Sequence, residues 1–275
     1  MCRAVPVAVG DTLISAVFPP MDGAVHGSWQ LLPPLSPSQV PLRAWLACPA
    51  GDRAARAGVL VLPEVFGVNA WVRSVADRLA AQGYAALALP LFAHTAPDLE
   101  LGYDQASLVE GRSHKERTTT PELLLDLGQA VDWLRSWLGR ADGALGCVGF
   151  CFGGHVALLA ATLPQVGASC AFYGAGVASG RPGGGPPSLE LVPSIRGRLL
   201  CLCGDQDELI PEPDLRAIET ALQGSRHRLI RVPEAGHGFM CEARDAFRAP
   251  AASLGWQQML ALFAEELERP PACSA

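Results

Sequence analysis

A cysteine near the middle of the chain, Cys151, lies in the pattern of a nucleophile on a sharp turn. Gly149 and Gly153 flank it at two residues on either side. A short apolar run precedes this stretch and a helix-like run, Val156 to Thr162, follows it, so the order is strand, turn and helix. Glycine at these two positions avoids collisions with the neighbouring strand and helix. The pattern therefore indicates a nucleophile elbow in which cysteine replaces the usual serine.

The helix after Cys151 would direct its N-terminal N–H groups and positive dipole end at the sulfur, which favours thiolate over thiol. The alternative is a tight turn around a buried, inert cysteine, because free cysteine is often a core residue. The chemical interpretation therefore depends on whether the chain also supplies a base and an orienting acid.

Two later loops supply such groups. Aspartates lie in Gly204-Asp205-Gln206-Asp207, and a histidine lies in Glu234-Ala235-Gly236-His237-Gly238-Phe239. The order nucleophile, acid, histidine is that of the α/β-hydrolases. His237 can take the thiol proton and later deliver it to a leaving group, while the acid fixes the imidazole tautomer.

Of the two aspartates, Asp207 is the better candidate for the acid. It lies deeper in the loop, four residues before Pro211, where its side chain can turn back over the end of the sheet. Asp205 is expected to bond nearby backbone N–H groups of the turn instead.

These loops must be positioned by the strands that precede them. Hydrophobic periodicity and turn residues predict an alternation of strands and helices. The predicted strands are 42–48, 58–63, 84–89, 144–148, 166–173, 198–203 and 226–232, and the predicted helices are 71–82, one opening at 120, 156–162, 212–223 and 253–267. The alternation predicts an α/β fold with one mostly parallel, doubly wound sheet flanked by helices.

Two segments fall outside this alternation. Residues 1–40 carry clusters of proline, and we expect an extension with at most one or two short edge strands before a domain at 41–270. Residues 90–120 are polar and are predicted to be irregular, yet the segment is long enough to cover part of a site.

Composition narrows the function classes. In 275 residues, 49% are hydrophobic and 17% charged, which is typical of a globular chain with a large core. The net charge of −6 and the lack of a lysine- and arginine-rich run argue against nucleic-acid binding. No apolar stretch approaches the roughly 20 residues that span a bilayer, and Met1 to Pro20 does not resemble an export signal. We therefore expect a cytoplasmic protein.

Nine cysteines are spread along the chain, several of them inside apolar strand-like runs. In a cytoplasm such residues stay reduced and act as small core side chains. Cys201 and Cys203 are not followed by a second ligand pair, so we predict no metal site.

Four motifs together resemble those of the dienelactone hydrolase family. They are Pro63-Glu64-Val65-Phe66-Gly67-Val68-Asn69, Gly149-Phe150-Cys151-Phe152-Gly153-Gly154, Gly204-Asp205-Gln206-Asp207 with Pro211, and Glu234-Ala235-Gly236-His237-Gly238-Phe239. The similarity runs in order from about Leu42 to the last helix. It implies a single-domain α/β-hydrolase that works without a cofactor.

The resemblance also implies roles for individual residues. Cys151 would be the nucleophile, His237 the base and Asp207 its orienting acid. Glu64 would help to hold and activate the thiol, whereas the residues alone suggest a solvated loop glutamate. The backbone N–H groups of Phe152 and Val65 would form the oxyanion hole.

The chain departs from the enzyme that names the family at the substrate end. That enzyme holds a substrate carboxylate with arginines, one of them shortly after the catalytic histidine. The position that we align with it here is Met240, and the nearest arginine is Arg244. Arg112 and Arg117 are candidates for a second substrate-binding arginine.

We therefore expect a cysteine-dependent hydrolase of small ester or lactone substrates, of the carboxymethylenebutenolidase type, that acts through an acyl-enzyme. The alternatives are a general carboxylesterase or thioesterase, and a catalytically idle hydrolase fold that acts as a binding protein. We expect a small-molecule substrate, no nucleic-acid or membrane partner, and a monomer or weak homo-oligomer.

Overall fold

A single sheet forms the centre of the molecule in the computed structural model, which describes residues 24–51, 55–140 and 143–268. Its eight strands are β1 (Val25–Leu32), β2 (Leu42–Pro49), β3 (Gly58–Leu62), β4 (Ala85–Ala88), β5 (Leu145–Phe150), β6 (Val166–Phe172), β7 (Arg198–Gly204) and β8 (Arg228–Val232). Their order across the sheet is β1-β2-β4-β3-β5-β6-β7-β8. Strands β3 to β8 are parallel, and β2 is antiparallel to both of its neighbours.

Helices cover both faces of this sheet. They are α1 (Ala70–Ala81), α2 (Gln105–Arg117), α3 (Thr120–Trp137), α4 (Phe152–Ala160), α5 (Glu212–Leu222) and α6 (Ala249–Leu267), with a short 3₁₀ helix at Ser188–Ser194. On one face, Trp71 of α1 contacts Phe150, and Gly255 of α6 lies against Phe172. On the other, Leu134 of α3 lies over Gly58.

The central strands are fully enclosed by this arrangement. Every residue of β3, β4 and β5 is buried, which explains why these strands appear in the sequence as continuous apolar runs and not as alternating ones. The predicted fold class, a mostly parallel α/β sheet flanked by helices, is confirmed, with β2 as the antiparallel exception.

The prediction that residues 90–120 are irregular is wrong, because α2 occupies Gln105–Arg117. This helix has no apolar stripe, so hydrophobic periodicity does not reveal it. Its ends do carry signals. Asp104 caps the first turn by accepting a hydrogen bond from the Ser107 N–H at 2.8 Å, and basic residues occupy the last turn.

Two other helices begin earlier than the sequence predicts. The helix after the elbow begins at Phe152 and not at Val156, because Gly153 and Gly154, weak helix formers, are part of its first turn. The last helix begins at Ala249 and not at Ser253, with Pro250 in its first turn, where proline is well tolerated.

Part of the predicted N-terminal extension lies within the described residues. Residues 25–32 of it form β1, an edge strand that pairs with β2 over eight residue pairs. Residues 1–23 lie outside the described residues. The division at residue 41 between extension and domain stays a prediction.

Four strands deliver the candidate residues to one edge of the sheet. Glu64 follows β3, Cys151 follows β5, Asp207 follows β7 and His237 follows β8. The carboxyl ends of parallel strands form the usual ligand crevice of such sheets. None of the helices in the described ranges is both long and apolar enough to cross a membrane.

Candidate active site

The turn at Cys151 has the strained backbone that the flanking glycines suggested. Cys151 has φ +55° and ψ −116°, a conformation that side chains rarely adopt. A Cβ atom on Gly149 would lie 1.9 Å from the carbonyl oxygen of Gly153, and one on Gly153 would lie 2.2 Å from that of Leu62. The glycines are therefore required by close backbone contacts, and the half-buried thiol is held at the apex.

The loops after β7 and β8 bring Asp207 and His237 into contact. His237 Nδ1 lies 2.9 Å from Asp207 Oδ2. The other carboxylate oxygen of Asp207 accepts a hydrogen bond from the Leu209 N–H at 2.9 Å. Asp205, in contrast, is exposed, and its side chain makes no hydrogen bond within the described ranges. The expectation that Asp205 bonds the turn is therefore wrong, because Asp207 makes that bond itself.

The environment of His237 favours its protonated form. Burial alone lowers the pKa of the imidazole, but the negative charge of Cys151 and the hydrogen bond to Asp207 outweigh it and raise the pKa to about 10. Nε2 is buried and has no hydrogen-bond partner within the described ranges. The arrangement therefore suits an imidazolium beside the sulfur of Cys151, with Nε2 available to a reacting group.

Cys151 and His237 both line a cavity of about 370 Å³. Other parts of its wall come from the loop after β3 (Val65 and Phe66), α2 (Leu108, Arg112, Lys115 and Glu116), the loop after β6 (Ala175 and Gly176), and Phe152, Leu209 and Arg244. A volume of this size fits a small organic molecule.

Glu64 lies deep in the wall of this site and not in solvent. Its side chain is 1% exposed, and Oε1 accepts a hydrogen bond from Arg244 at 2.7 Å. Burial raises the pKa of the carboxyl, while the charges of Arg244 and His237 oppose that shift. Oε2 is buried and has no hydrogen-bond partner in the described ranges, so this oxygen is free to accept a proton.

Two tyrosines whose hydroxyl groups are buried lie near the charged groups. The Tyr173 ring meets the His237 ring edge-on at 5.0 Å, and Tyr103 contacts Phe66 at 4.7 Å. Burial and the charge of Glu64 raise the pKa of both phenols, so they stay neutral. Sequence reasoning missed both, although Tyr173 directly follows β6, where the ends of strands indicate functional side chains.

The two predicted oxyanion-hole residues, Phe152 and Val65, face the same cavity. Phe152 is the first residue of α4, where a helix leaves its N–H groups without intrahelical acceptors. The carbonyl of Val65 is held against α2, since a Cβ atom on Gly111 would lie only 2.2 Å from it. Helix α2 therefore fixes the position of the loop that carries Val65.

The candidate arginines occupy different places. Arg244 lines the cavity and pairs with Glu64, and Arg112 lines the cavity as well. Arg117 points back to its own helix, where it bonds the Ser113 carbonyl and His114. Met240 is buried against Gly255 of α6, so the position aligned with the family's arginine faces the core.

Residues that line the cavity but were absent from the sequence prediction come mainly from α2 and the loop after β6. They include Leu108, Lys115, Glu116, Ala175, Gly176 and Leu209. Within the described ranges, no group of three or more histidine, cysteine, aspartate or glutamate side chains is arranged to hold a metal ion. The seven cysteines in these ranges are all free.

Comparison with known proteins gives consistent results. A family model described as "Dienelactone hydrolase family" matches residues 42–267. A relative from Synechocystis sp., whose name proposes a carboxymethylenebutenolidase, is 37% identical over 212 residues, which cover 76% of this chain and 86% of the relative. A Bradyrhizobium sp. relative, named as a proposed 2-oxo-3-(5-oxofuran-2-ylidene)propanoate lactonase, is 31% identical over 205 residues, which cover 74% of this chain and 81% of the relative.

Solved structures share the fold. A crystal structure of a proposed dienelactone hydrolase from Klebsiella pneumoniae superposes with a TM-score of 0.78 at 27% sequence identity, covering 88% of this chain and 99% of that one. A dienelactone hydrolase from Anabaena variabilis superposes with a TM-score of 0.62 at 22% identity, covering 88% of this chain and 99% of that one.

Proposed function

Because this chain belongs to the dienelactone hydrolase family, whose members act on ester and lactone bonds, we propose that it is a cysteine-dependent hydrolase of small esters or lactones. The observation that carries the proposal is the contact of Asp207 with His237 beside the apex cysteine of the elbow. All three side chains lie at one end of the sheet, and Cys151 and His237 line a cavity of small-molecule size.

The first half of the reaction is acylation of Cys151. The thiolate attacks the carbonyl carbon of the substrate, and the oxygen that becomes negative is held by the N–H groups of Phe152 and Val65. When the tetrahedral intermediate collapses, the bond from carbon to the leaving oxygen breaks. The proton on Nε2 of His237 passes to that oxygen, which leaves an acyl-enzyme and a neutral imidazole.

The second half is hydrolysis of the acyl-enzyme. Neutral His237 takes a proton from a water molecule, whose oxygen attacks the thioester carbon. Collapse of this second intermediate releases the acid and restores the thiolate beside an imidazolium. Asp207 holds the tautomer of His237 through both halves, because its Oδ2 contacts Nδ1 and leaves Nε2 facing the reacting atoms.

Glu64 and Arg244 form a second charged pair beside the nucleophile. Since burial raises the pKa of Glu64, its carboxylate can accept a proton more readily than an ordinary glutamate. We propose that Glu64 takes up the proton from any Cys151 that is still a thiol and so helps to keep the sulfur as a thiolate.

The test is hydrolysis of 4-nitrophenyl acetate and of a dienelactone at pH 7 by the wild type and by Cys151→Ala and Cys151→Ser. We expect the alanine variant to lose turnover on both substrates. The matched control is Cys48→Ala, since Cys48 is another partly exposed free cysteine. An alanine variant as active as wild type would refute the mechanism. The ratio of kcat/KM for the dienelactone to kcat/KM for 4-nitrophenyl acetate separates a lactonase from a general carboxylesterase or thioesterase.

Alkylation by iodoacetamide separates an enzyme from a binding protein. A thiolate beside an imidazolium should react much faster than a model thiol, whereas an idle fold would carry an inert thiol. A cytoplasmic location and a monomeric or weakly oligomeric state stay predictions.

A further inference from the structure

A second cavity opens beside the active site, and we call it the side chamber. It has a volume of about 260 Å³ and is lined by Lys115 and Glu116 of α2, Phe152 and His155 of α4, and the loop that includes 175–176 and 179–183. Part of its wall is shared with the cavity of Cys151, namely Lys115, Glu116, Phe152, Ala175 and Gly176. A substrate whose carbonyl lies at Cys151 can therefore extend into the side chamber.

Two cations face the side chamber, and neither is paired with a carboxylate of the described residues. The Arg181 side chain makes no hydrogen bond or ion pair with the described residues, and its Nε is shielded from solvent. The Lys115 ammonium lies 5.8 Å from the centre of the Phe152 ring and within 4 Å of no described carboxylate. Leaving the nitrogen of a guanidinium shielded and unbonded is costly unless a ligand bonds it.

The loop that carries Arg181 is held in place. The neighbouring carbonyl of Pro182 accepts hydrogen bonds from both the N–H and the hydroxyl of Thr120, at 2.8 Å and 2.9 Å. Because Thr120 begins α3, this anchor fixes the loop to the main body of the protein. Arg181 is therefore presented by a fixed backbone, which lowers the entropy cost of binding a ligand.

His155 anchors the other end of the loop and adds no charge. Its Nδ1 lies 3.1 Å from the carbonyl of Ala175, and Nε2 lies 2.7 Å from the hydroxyl of Ser188. Burial lowers the pKa of this histidine to about 4, so it is neutral at physiological pH. The charged side chains of the side chamber are then two cations, Lys115 and Arg181, and one anion, Glu116, so its net charge is positive.

We infer that the side chamber is a carboxylate subsite, in which Arg181 and Lys115 bind an anionic group carried by the substrate away from the bond that is cleaved. The inference rests on the proposed function, because it takes the scissile carbonyl to lie at Cys151. Arginine offers a planar pair of donors to a carboxylate, and lysine adds a second charge. This subsite is separate from Arg244, which Glu64 already occupies.

The test compares charged and neutral substrates of matched size. Mono-4-nitrophenyl adipate against 4-nitrophenyl hexanoate places the carboxylate on the acyl side, and 3-acetoxybenzoate against 3-acetoxybenzamide places it on the leaving group. The readout is the ratio of kcat/KM for the acidic ester to that for its neutral partner. We expect the wild type to favour the acidic ester in one of the two pairs.

Charge variants then locate the preference, and Arg181 is the decisive position because it lines the side chamber and not the cavity of Cys151. Arg181→Gln and Lys115→Met should each lower the ratio about tenfold, mainly through a higher KM for the acidic ester. Glu116→Gln should raise the ratio, because it removes the opposing charge. Arg196→Gln is the matched control, since Arg196 is an exposed arginine outside both cavities, and it should leave the ratio unchanged. Melting temperatures verify that each variant is folded.

The outcomes separate failure of the inference from failure of the proposed function. If Cys151→Ala hydrolyses the neutral esters as well as wild type does, the proposed function itself is wrong. If turnover depends on Cys151 but the ratio is the same in wild type, Arg181→Gln and Glu116→Gln for both ester pairs, the carboxylate subsite is wrong and the mechanism stands.

Discussion

Asp207 makes two hydrogen bonds whose combination explains its role. One oxygen contacts Nδ1 of His237 at 2.9 Å, and the other accepts the N–H of Leu209 at 2.9 Å. The second bond holds the carboxylate in the orientation that the first one needs. A carboxylate that is fixed in this way keeps the imidazole in one tautomer and stabilises its charged form.

Replacing Asp207 by asparagine should therefore impair catalysis much more than folding. The charge of Asp207 contributes to the raised pKa of His237, about 10, so the pKa should fall in the variant. The imidazolium would then lose its proton at a lower pH, and kcat/KM should decrease by about 10²- to 10⁴-fold. Turnover of 4-nitrophenyl acetate measures the loss of kcat/KM. The pH dependence of turnover and of iodoacetamide alkylation measures the lower pKa of His237.

Asp205→Asn is the control that the chain itself offers. Asp205 lies two residues away in the same loop but is exposed, so its variant should keep nearly wild-type kcat/KM. Equal losses in both variants would show that the loop matters as a whole and that Asp207 does not orient His237.

The sequence allowed much of this site to be predicted because its residues follow strands directly. Cys151, Asp207 and His237 each come within a few residues of the end of a predicted strand, so their meeting at one edge follows from a parallel sheet. Arg244 and the tyrosines were harder. The pairing of Arg244 with Glu64 joins side chains 180 residues apart, and no local pattern specifies that contact.

At the scale of elements, α2 shows why part of the cavity escaped sequence prediction. Its buried positions include Ser107, Gly111 and His114, so what it buries is small or polar. A helix with such a face does not produce the apolar period that marks a helix in a sequence. The cavity wall formed by Leu108 and Lys115 could not be assigned without that helix.

Gly111 is the point at which α2 acts on the active site. Alanine there would place its Cβ 2.2 Å from the carbonyl oxygen of Val65, so either the helix or the loop after β3 must shift. Since Val65 is the proposed second oxyanion donor, we expect Gly111→Ala to lower kcat by about tenfold or more. Steady-state kinetics on 4-nitrophenyl acetate measure the change.

The matched control is Gly128→Ala in α3. Gly128 has open space around its Cβ position, and alanine is the better helix former, so this variant should be stabilised by about 0.5–1 kcal/mol without loss of activity. The role of α2 as the support of Val65 would be refuted if Gly111→Ala kept full activity with an unchanged melting temperature.

At the scale of the whole molecule, the sheet and its helices were predictable because each central strand is a short, fully apolar run. Boundaries were less predictable where local preference and the fold disagree, as at Gly153-Gly154 of the elbow. Tertiary packing requires glycine there, although glycine is a weak helix former. Packing also decides where the folded unit begins, because β1 lies before the predicted boundary at residue 41 and yet pairs with β2 in the sheet.

Helix α3 makes hydrogen bonds to three residues that precede position 41. The Nε2 of Gln129, a buried side chain, donates to the carbonyls of Leu32, Pro33 and Val40 at 3.2, 2.9 and 3.2 Å. Leu32 is itself fully buried. A chain that starts at the predicted boundary would therefore lose a core side chain and leave a buried amide without its acceptors.

We expect a variant that begins at residue 41 to be less stable than one that begins at residue 24 and keeps β1. Loss of the Leu32 side chain costs about 2 kcal/mol, and an unsatisfied buried amide costs about 1–3 kcal/mol. Together these correspond to a melting temperature about 10 °C lower for a domain of this size. Thermal unfolding followed by circular dichroism compares the two variants, and equal melting temperatures would establish residue 41 as the true boundary. The longer variant retains the pairing of β1 with β2 and the hydrogen bonds to Gln129. A lower melting temperature for the shorter variant would therefore place β1 within the hydrolase domain.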